Sequence, residues 1–196
     1  MQDENKLVQR IQKGDRRAFE EFLDSYGGRV HRLVRRYVDN ATDAEDVTQE
    51  IFCDLYRSIG RFRGESALAT WVYRVALNHC LKHCQRQRPA NLPYEEQNLA
   101  VQDWKADPER AAAKLELASQ VQDALKGLSQ GHYDVVVLCE MQGLTYQECA
   151  KALDIPVGTV KSRLFNAFRR LRDSLRGYLN EDGDALCPRS VGEATP

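Results

Sequence analysis

Residues 144–171, L-T-Y-Q-E-C-A-K-A-L-D-I-P-V-G-T-V-K-S-R-L-F-N-A-F-R-R-L, constrain the fold more than any other stretch of this chain. Thr145 with Glu148 three residues later is a capping box and opens a helix. Tyr146, Cys149, Ala150 and Leu153 recur at helical spacing and predict its buried side. Asp154-Ile155-Pro156 ends it, because proline disfavours helix in the residue before it yet starts a new helix well. A second helix is predicted over 157–170. Val160, Leu164, Ala167, Phe168 and Leu171 share its apolar face. Thr159, Lys161, Ser162, Arg163, Asn166 and Arg170 supply a polar, cationic surface of the kind a major groove accepts. The alternative is an ordinary helical hairpin with a solvated face. Cap, break and amphipathic pattern all coincide at helix-turn-helix spacing, which favours a DNA-binding element.

The 196 residues suffice for one ordinary domain or two small helical ones. Charged residues at 29% and hydrophobic ones at 42% describe a soluble globular chain. No apolar run approaches the roughly 20 residues a membrane helix needs. The polar, acidic start Met1-Gln2-Asp3-Glu4-Asn5 does not read as a secretion signal, so a cytoplasmic protein without membrane insertion is expected.

A net charge of −1 conceals strong banding. Asp39, Asp43, Glu45, Asp46, Glu50 and Asp54 follow one another with no Lys or Arg between them. Arg57, Arg61, Arg63, Arg74, Lys82, Arg86 and Arg88 then face Glu65 alone. Positions 89–123 are acidic again, and 161–176 are strongly basic. Such alternation implies one cationic and one polyanionic partner.

Helical periodicity runs through 3–86. Leu7 and Ile11 begin an apolar seam that Phe19, Phe22, Leu23, Tyr26, Val30, Leu33, Val34 and Tyr37 continue, with a bend or break expected at Gly27-Gly28. Thr42 or Asp43 is expected to start the next helix, with Val47, Ile51, Leu55 and Ile59 at steps of four. Gly60 to Glu65 reads as a loop, and Ser66 as the cap of a helix reaching about Gln85. Pro89, Pro93 and Pro108 mark a tether. Helix is expected again over about 111–128, then 133–142, then the helix-turn-helix. The reading is all-α: a first domain over 1–86, a flexible linker over 87–110, a helix-turn-helix domain over 111–179, and a mobile acidic tail over 180–196.

In the helix after Ser66, Trp71, Arg74, Asn78 and Lys82 form one stripe at spacings of three, four and four. Val72, Val75, Ala76 and Cys80 fall on another face, available for the core. An aromatic, cations and an amide in line can stack an unpaired base and hold its phosphates. Arg61, Phe62 and Arg63 of the neighbouring loop add to that surface. The structural alternative is that Trp71 simply packs and the cations are solvated.

The segments D-A-E-D-V-T-Q-E-I-F at 43–52, R-F-R-G-E-S at 61–66, T-W-V-Y-R-V-A-L-N at 70–78 and G-L-T-Y-Q-E-C-A-K-A-L-D-I-P-V-G-T-V-K-S-R-L at 143–164 together resemble one family. The chain looks like a bacterial RNA polymerase sigma factor of the extracytoplasmic-function (ECF) group, over roughly 10–180. The resemblance implies that Asp43, Asp46, Gln49, Glu50 and Phe52 dock on core RNA polymerase. Arg61, Phe62, Arg63, Trp71, Arg74, Asn78 and Lys82 would melt and hold the −10 promoter element, with a flipped base in loop 61–66. Thr159, Lys161, Ser162, Arg163, Asn166 and Arg170 would read the −35 duplex. It further implies an anti-sigma partner, no catalytic residue and no cofactor. Ser129-Gln130-Gly131 stands where the family commonly has proline after Leu128, and Asn166 and Phe168 stand where basic residues are frequent.

Two other functions are open at this stage. A stand-alone LuxR-like regulator would explain 144–171 but not the acidic helix. A metal or thiol sensor would use His79, Cys80, His83 and Cys84, which pair at i,i+4. The two pairs face directions about 100° apart on a helix of 3.6 residues per turn, which argues against a shared ion. The six cysteines, Cys53, Cys80, Cys84, Cys139, Cys149 and Cys187, form no C-x-x-C pair and are expected as reduced thiols, with Cys80, Cys139 and Cys149 in the core.

Overall fold

The computed structural model describes residues 2–87 and 108–176, with side chains over 4–87 and 116–176. Most of the predicted tether and all of the predicted tail, Cys187 included, lie outside the described residues. The described chain is helical, and it divides into two compact units, one centred on the helices before residue 87 and one on those after 108.

The first unit holds α1 (Gln2–Gln12), α2 (Arg16–Val34), α3 (Ala41–Ser58), a 3₁₀ turn (Ile59–Arg61) and α4 (Leu68–Gln87). Gly14, at φ 85°, reverses the chain after α1. Asp15 then caps α2 by accepting from the Arg17 and Ala18 amides. Helix α2 runs unbroken through Gly27-Gly28, so the expected break is absent. Its buried side, Ala18, Phe22, Tyr26, Val30, Leu33 and Val34, spans both glycines and holds the helix from either end. Helix α3 starts earlier than expected. Asn40, not Thr42 or Asp43, is its cap, and the Asn40 side chain accepts from the Asp43 amide at 3.1 Å. The four-step seam Val47, Ile51, Leu55 and Ile59 is buried throughout. Each such side chain contributes about 1.5–3 kcal/mol of burial free energy. The expected loop at 60–65 begins as a 3₁₀ turn, and α4 starts two residues beyond Ser66. Val72, Tyr73, Ala76, Leu77 and Cys80 line the core face of α4, while Val75 is half-buried.

The second unit holds α5 (Pro108–Lys126), α6 (Gln130–Val136) continued by a π-helical turn (Val137–Met141), α7 (Tyr146–Leu153) and α8 (Val157–Ser174). Proline opens α5, where its missing N–H costs nothing. Helix α6 begins three residues before the expected position and carries Tyr133, Val135, Val136, Val137 and Leu138 into the core. Cys139 and Cys149 are buried and hydrogen-bonded to one another; that bond first, and burial second, push the Cys139 thiol far up.

Candidate nucleic-acid and protein-docking faces

The capping box at the start of α7 forms both ways. The Glu148 amide donates to Thr145 Oγ1 at 3.2 Å, and the Thr145 amide donates to Glu148 Oε2 at 2.9 Å. Helix α7 ends at Asp154, whose φ of 55° turns the chain so that the Ile155 amide reaches the Ala150 carbonyl at 3.0 Å. Pro156 stands at the N-cap of α8, extended at ψ 145°. Val160, Leu164, Ala167 and Leu171 seat α8 in the core, and Phe168 is only half-buried.

On the outer side of α8, Lys161, Ser162 and Arg170 are exposed, while Thr159 and Asn166 are half-buried. Arg163 is not splayed outward. Its guanidinium lies over Gly131 of α6, so close that a Cβ at Gly131 would stand 3.0 Å from Nη1. Beside it His132 has Nδ1 2.8 Å from Ser129 Oγ. Burial, then the charges of Arg170 and Arg163, hold His132 below its ordinary value. Sequence reasoning missed Phe165, an aromatic 64% exposed on this same helix. Its position outside the apolar stripe was the available signal.

In the first unit Asp46, Gln49 and Glu50 are exposed on α3. Asp43 is half-buried and accepts from Gln87 Nε2 of α4 at 3.1 Å. Phe52 is also half-buried, its ring edge-on to Phe22 at 6.2 Å. Phe52 is thus partly a core residue. The carboxylates of α3 form one wall of a groove of about 650 Å³, lined by Asp46, Glu50, Asp54, Arg57, His79 and Lys82 among others. His79 reaches across it from α4, with Nε2 3.1 Å from Asp54 Oδ2 and Nδ1 3.9 Å from Glu50 Oε2.

That placement separates the four candidate metal ligands. His79 faces α3, Cys80 is fully buried, and the Cys84 thiol donates to the Tyr37 carbonyl at 3.3 Å. His83 Nε2 is buried with no hydrogen-bond partner. Among the described residues no three His, Cys, Asp or Glu side chains converge as an ion would require.

The stripe on α4 is continuous. Arg74, Asn78 and Lys82 are exposed, and Trp71 is half-buried with the Phe62 ring packed on it at 5.3 Å between centroids. Arg61 and Arg63 are exposed on either side of Phe62. A residue not singled out by sequence holds this loop: Gln12 Nε2 donates to the carbonyls of Ile59 and Phe62, both at 3.0 Å.

An acidic helix face, an aromatic–cationic stripe on the adjacent helix and a separate helix-turn-helix define a two-module, all-helical DNA-binding protein. Residues 22–90 match the family model described as Sigma-70 region 2, and 118–171 match Sigma-70, region 4. The chain is 34% identical to the RNA polymerase sigma-H factor of Pseudomonas aeruginosa, over 92% of this chain and 97% of that protein. It is 37% identical to the ECF RNA polymerase sigma-E factor of Escherichia coli, over 82% of this chain and 88% of that protein. The structure of CnrH in complex with the cytosolic domain of CnrY superposes with a TM-score of 0.67 at 25% identity, covering 88% of this chain and 97% of that one. The sigma factor RpoE bound to the anti-sigma factor NepR, from Bartonella quintana, shares the fold with a TM-score of 0.64 at 18% identity, covering 82% and 98%. The chain belongs to the RNA polymerase sigma factors of the ECF group.

Proposed function

We propose that this chain binds core RNA polymerase and directs it to promoters by reading a −35 duplex and opening a −10 element. The observation that carries this reading is the adjacency, on one small module, of the exposed Asp46–Gln49–Glu50 row and the Trp71–Arg74–Asn78–Lys82 stripe. The first presents carboxylates and an amide to a basic partner, with Asp43 and Phe52 supporting it from half-buried positions. The second presents cations and an aromatic pair to a separated strand. Flipping a base out costs a few kcal/mol. Stacking on Phe62 or Trp71 returns about 1–3 kcal/mol, and Arg61, Arg63, Arg74 and Lys82 screen the backbone. Binding energy is thereby converted into strand opening.

The helix α8 reads the duplex. Lys161 and Arg170 meet phosphates, Ser162 and Asn166 reach base edges, and Phe165 offers an apolar contact suited to a thymine methyl. Thr159 and Arg163 brace that surface, Arg163 from its seat on α6. Domain bounds of 1–86 and 111–179, joined through 87–110, fit this division of labour. Phosphoryl transfer belongs to the polymerase, so this chain supplies no catalytic residue and works in the cytoplasm beside the nucleoid. No helix among the described residues is long and apolar enough to cross a membrane. A regulatory protein of the anti-sigma kind is expected to cover the same faces; the Bartonella sigma factor was solved in complex with an anti-sigma factor.

The test is run-off transcription with core polymerase on a genomic library. Start sites sharing a −35 and a −10 sequence support the reading, and Asp46→Lys with Glu50→Lys should abolish them. Failure of the purified chain to co-elute with core polymerase would remove it.

A further inference from the structure

We infer that Gln12 is a positioning residue for base capture: its side-chain amide staples the loop carrying Arg61, Phe62 and Arg63 against the strand-holding stripe. This rests on the strand-capture reading proposed above and adds to it a residue from another helix. A primary amide carries two N–H donors on one nitrogen. In Gln12 that nitrogen lies 3.0 Å from the Ile59 carbonyl and 3.0 Å from the Phe62 carbonyl, 47 and 50 residues away in sequence. Those carbonyls bracket the 3₁₀ turn, and the Phe62 amide closes it by donating to the Ile59 carbonyl at 3.1 Å. One side chain therefore ties both ends of the turn.

The loop needs such a tie. Gly60 and Gly64 flank it, Gly64 has a φ of 74°, and Arg61 and Arg63 are exposed. Glycines leave a backbone many conformations to lose when a ligand orders it, and fixing the loop beforehand removes that cost from binding. The base on which Gln12 stands is itself firm. Val8 and Ile11 are buried, and the Gly14 and Asp15 amides close the end of α1 onto the Ile11 and Arg10 carbonyls. Arg10 pairs with Asp15 at 2.9 Å and with Glu21 at 2.8 Å. From Gln12 the constraint passes through the Phe62 backbone to its ring, which rests on Trp71.

The experiment uses the full chain assembled with core polymerase and a pool of short random-sequence single-stranded DNA, from which bound molecules are recovered and sequenced. The wild-type complex is expected to prefer one base strongly at one position at least. Gln12→Ala is expected to lower that preference about tenfold, the scale of two hydrogen bonds of modest net strength, with preferences elsewhere retained. Gln12→Glu, nearly the same shape but presenting acceptors to both carbonyls, should lose as much. Gln12 is exposed and its two bonds are modest, so melting should fall by no more than about 2–4 °C and co-elution with polymerase should stay at the wild-type value in both variants. A wild-type preference in either variant overturns the assignment, as does a loss accompanied by a larger fall in melting or by failed co-elution. If the wild-type complex prefers no base anywhere, the strand-capture reading fails and takes this one with it. If the wild type selects and the variants select equally, Gln12 alone is ruled out.

Discussion

His132 illustrates how one side chain registers its surroundings. It is half-buried, bonded through Nδ1 to Ser129, and shares its neighbourhood with Arg163 and Arg170. Burial and the two cations disfavour the imidazolium, so its folded-state pKa lies below the ordinary 6.5. The unfolded chain then takes up the proton first. Stability is full above the unfolded value and declines as pH drops through it toward the folded one. Urea melts between about pH 7.5 and about pH 5 should show the second unit weakening on the acid side, and His132→Gln should flatten that slope. A slope unchanged by the substitution would assign the acid loss to other groups. On α8 the test is of specificity. Asn166→Ala should cost about 1–3 kcal/mol and relax selection at one −35 position, whereas Lys161→Ala should weaken all sequences alike and lower the salt slope by about one. Quantitative binding of holoenzyme to a promoter library separates the two.

The helices divide their faces between stability and contact. In α3 the seam of Val47, Ile51, Leu55 and Ile59 is buried while Asp46, Gln49 and Glu50 look outward. Ile51→Ala should therefore destabilise the first unit by about 2–5 kcal/mol through the cavity it leaves, visible as a lowered denaturation midpoint. Glu50→Lys should leave that midpoint within about 0.5 kcal/mol, as surface changes do, and remove co-elution with polymerase. If both substitutions acted only through stability, the outward row would be mere solvation. In α7 the reciprocal Thr145–Glu148 cap predicts a loss of about 1 kcal/mol for Thr145→Ala, read from the second unit's unfolding.

For the molecule as a whole, charge sets the terms of engagement. Acidic and basic residues nearly cancel at −1, yet they are banded along the chain. The acidic face of the first unit repels the DNA that its own α4 stripe would grip. The free chain should consequently bind a promoter duplex weakly and without sequence preference, and core polymerase should rescue both. Gel shifts with and without polymerase, at several salt concentrations, measure this. Tight, specific binding by the free chain would contradict it and revive a stand-alone regulator.

The amino-acid sequence by itself determined several features that depend on residues three or four apart. The core seam of α3, the capping box of α7, the break at Asp154-Ile155-Pro156 and the apolar face of α8 are all local, because helix periodicity and capping act within a turn or two. Local signals also misled: Gly27-Gly28 reads as a break, but the core contacts on both sides outweigh the roughly 1 kcal/mol each glycine costs. At His79–Cys84 helix geometry already argued against a shared ion, and packing shows where the side chains go instead: to the α3 carboxylates, the core and the Tyr37 carbonyl. The tertiary structure alone decided the rest: Arg163 turned onto Gly131, His79 bridging to Asp54, Phe62 resting on Trp71 and Gln12 clasping the loop before it. These contacts join residues from nine to fifty positions apart, often on different helices, and no spacing rule along a single helix encodes which helices will meet.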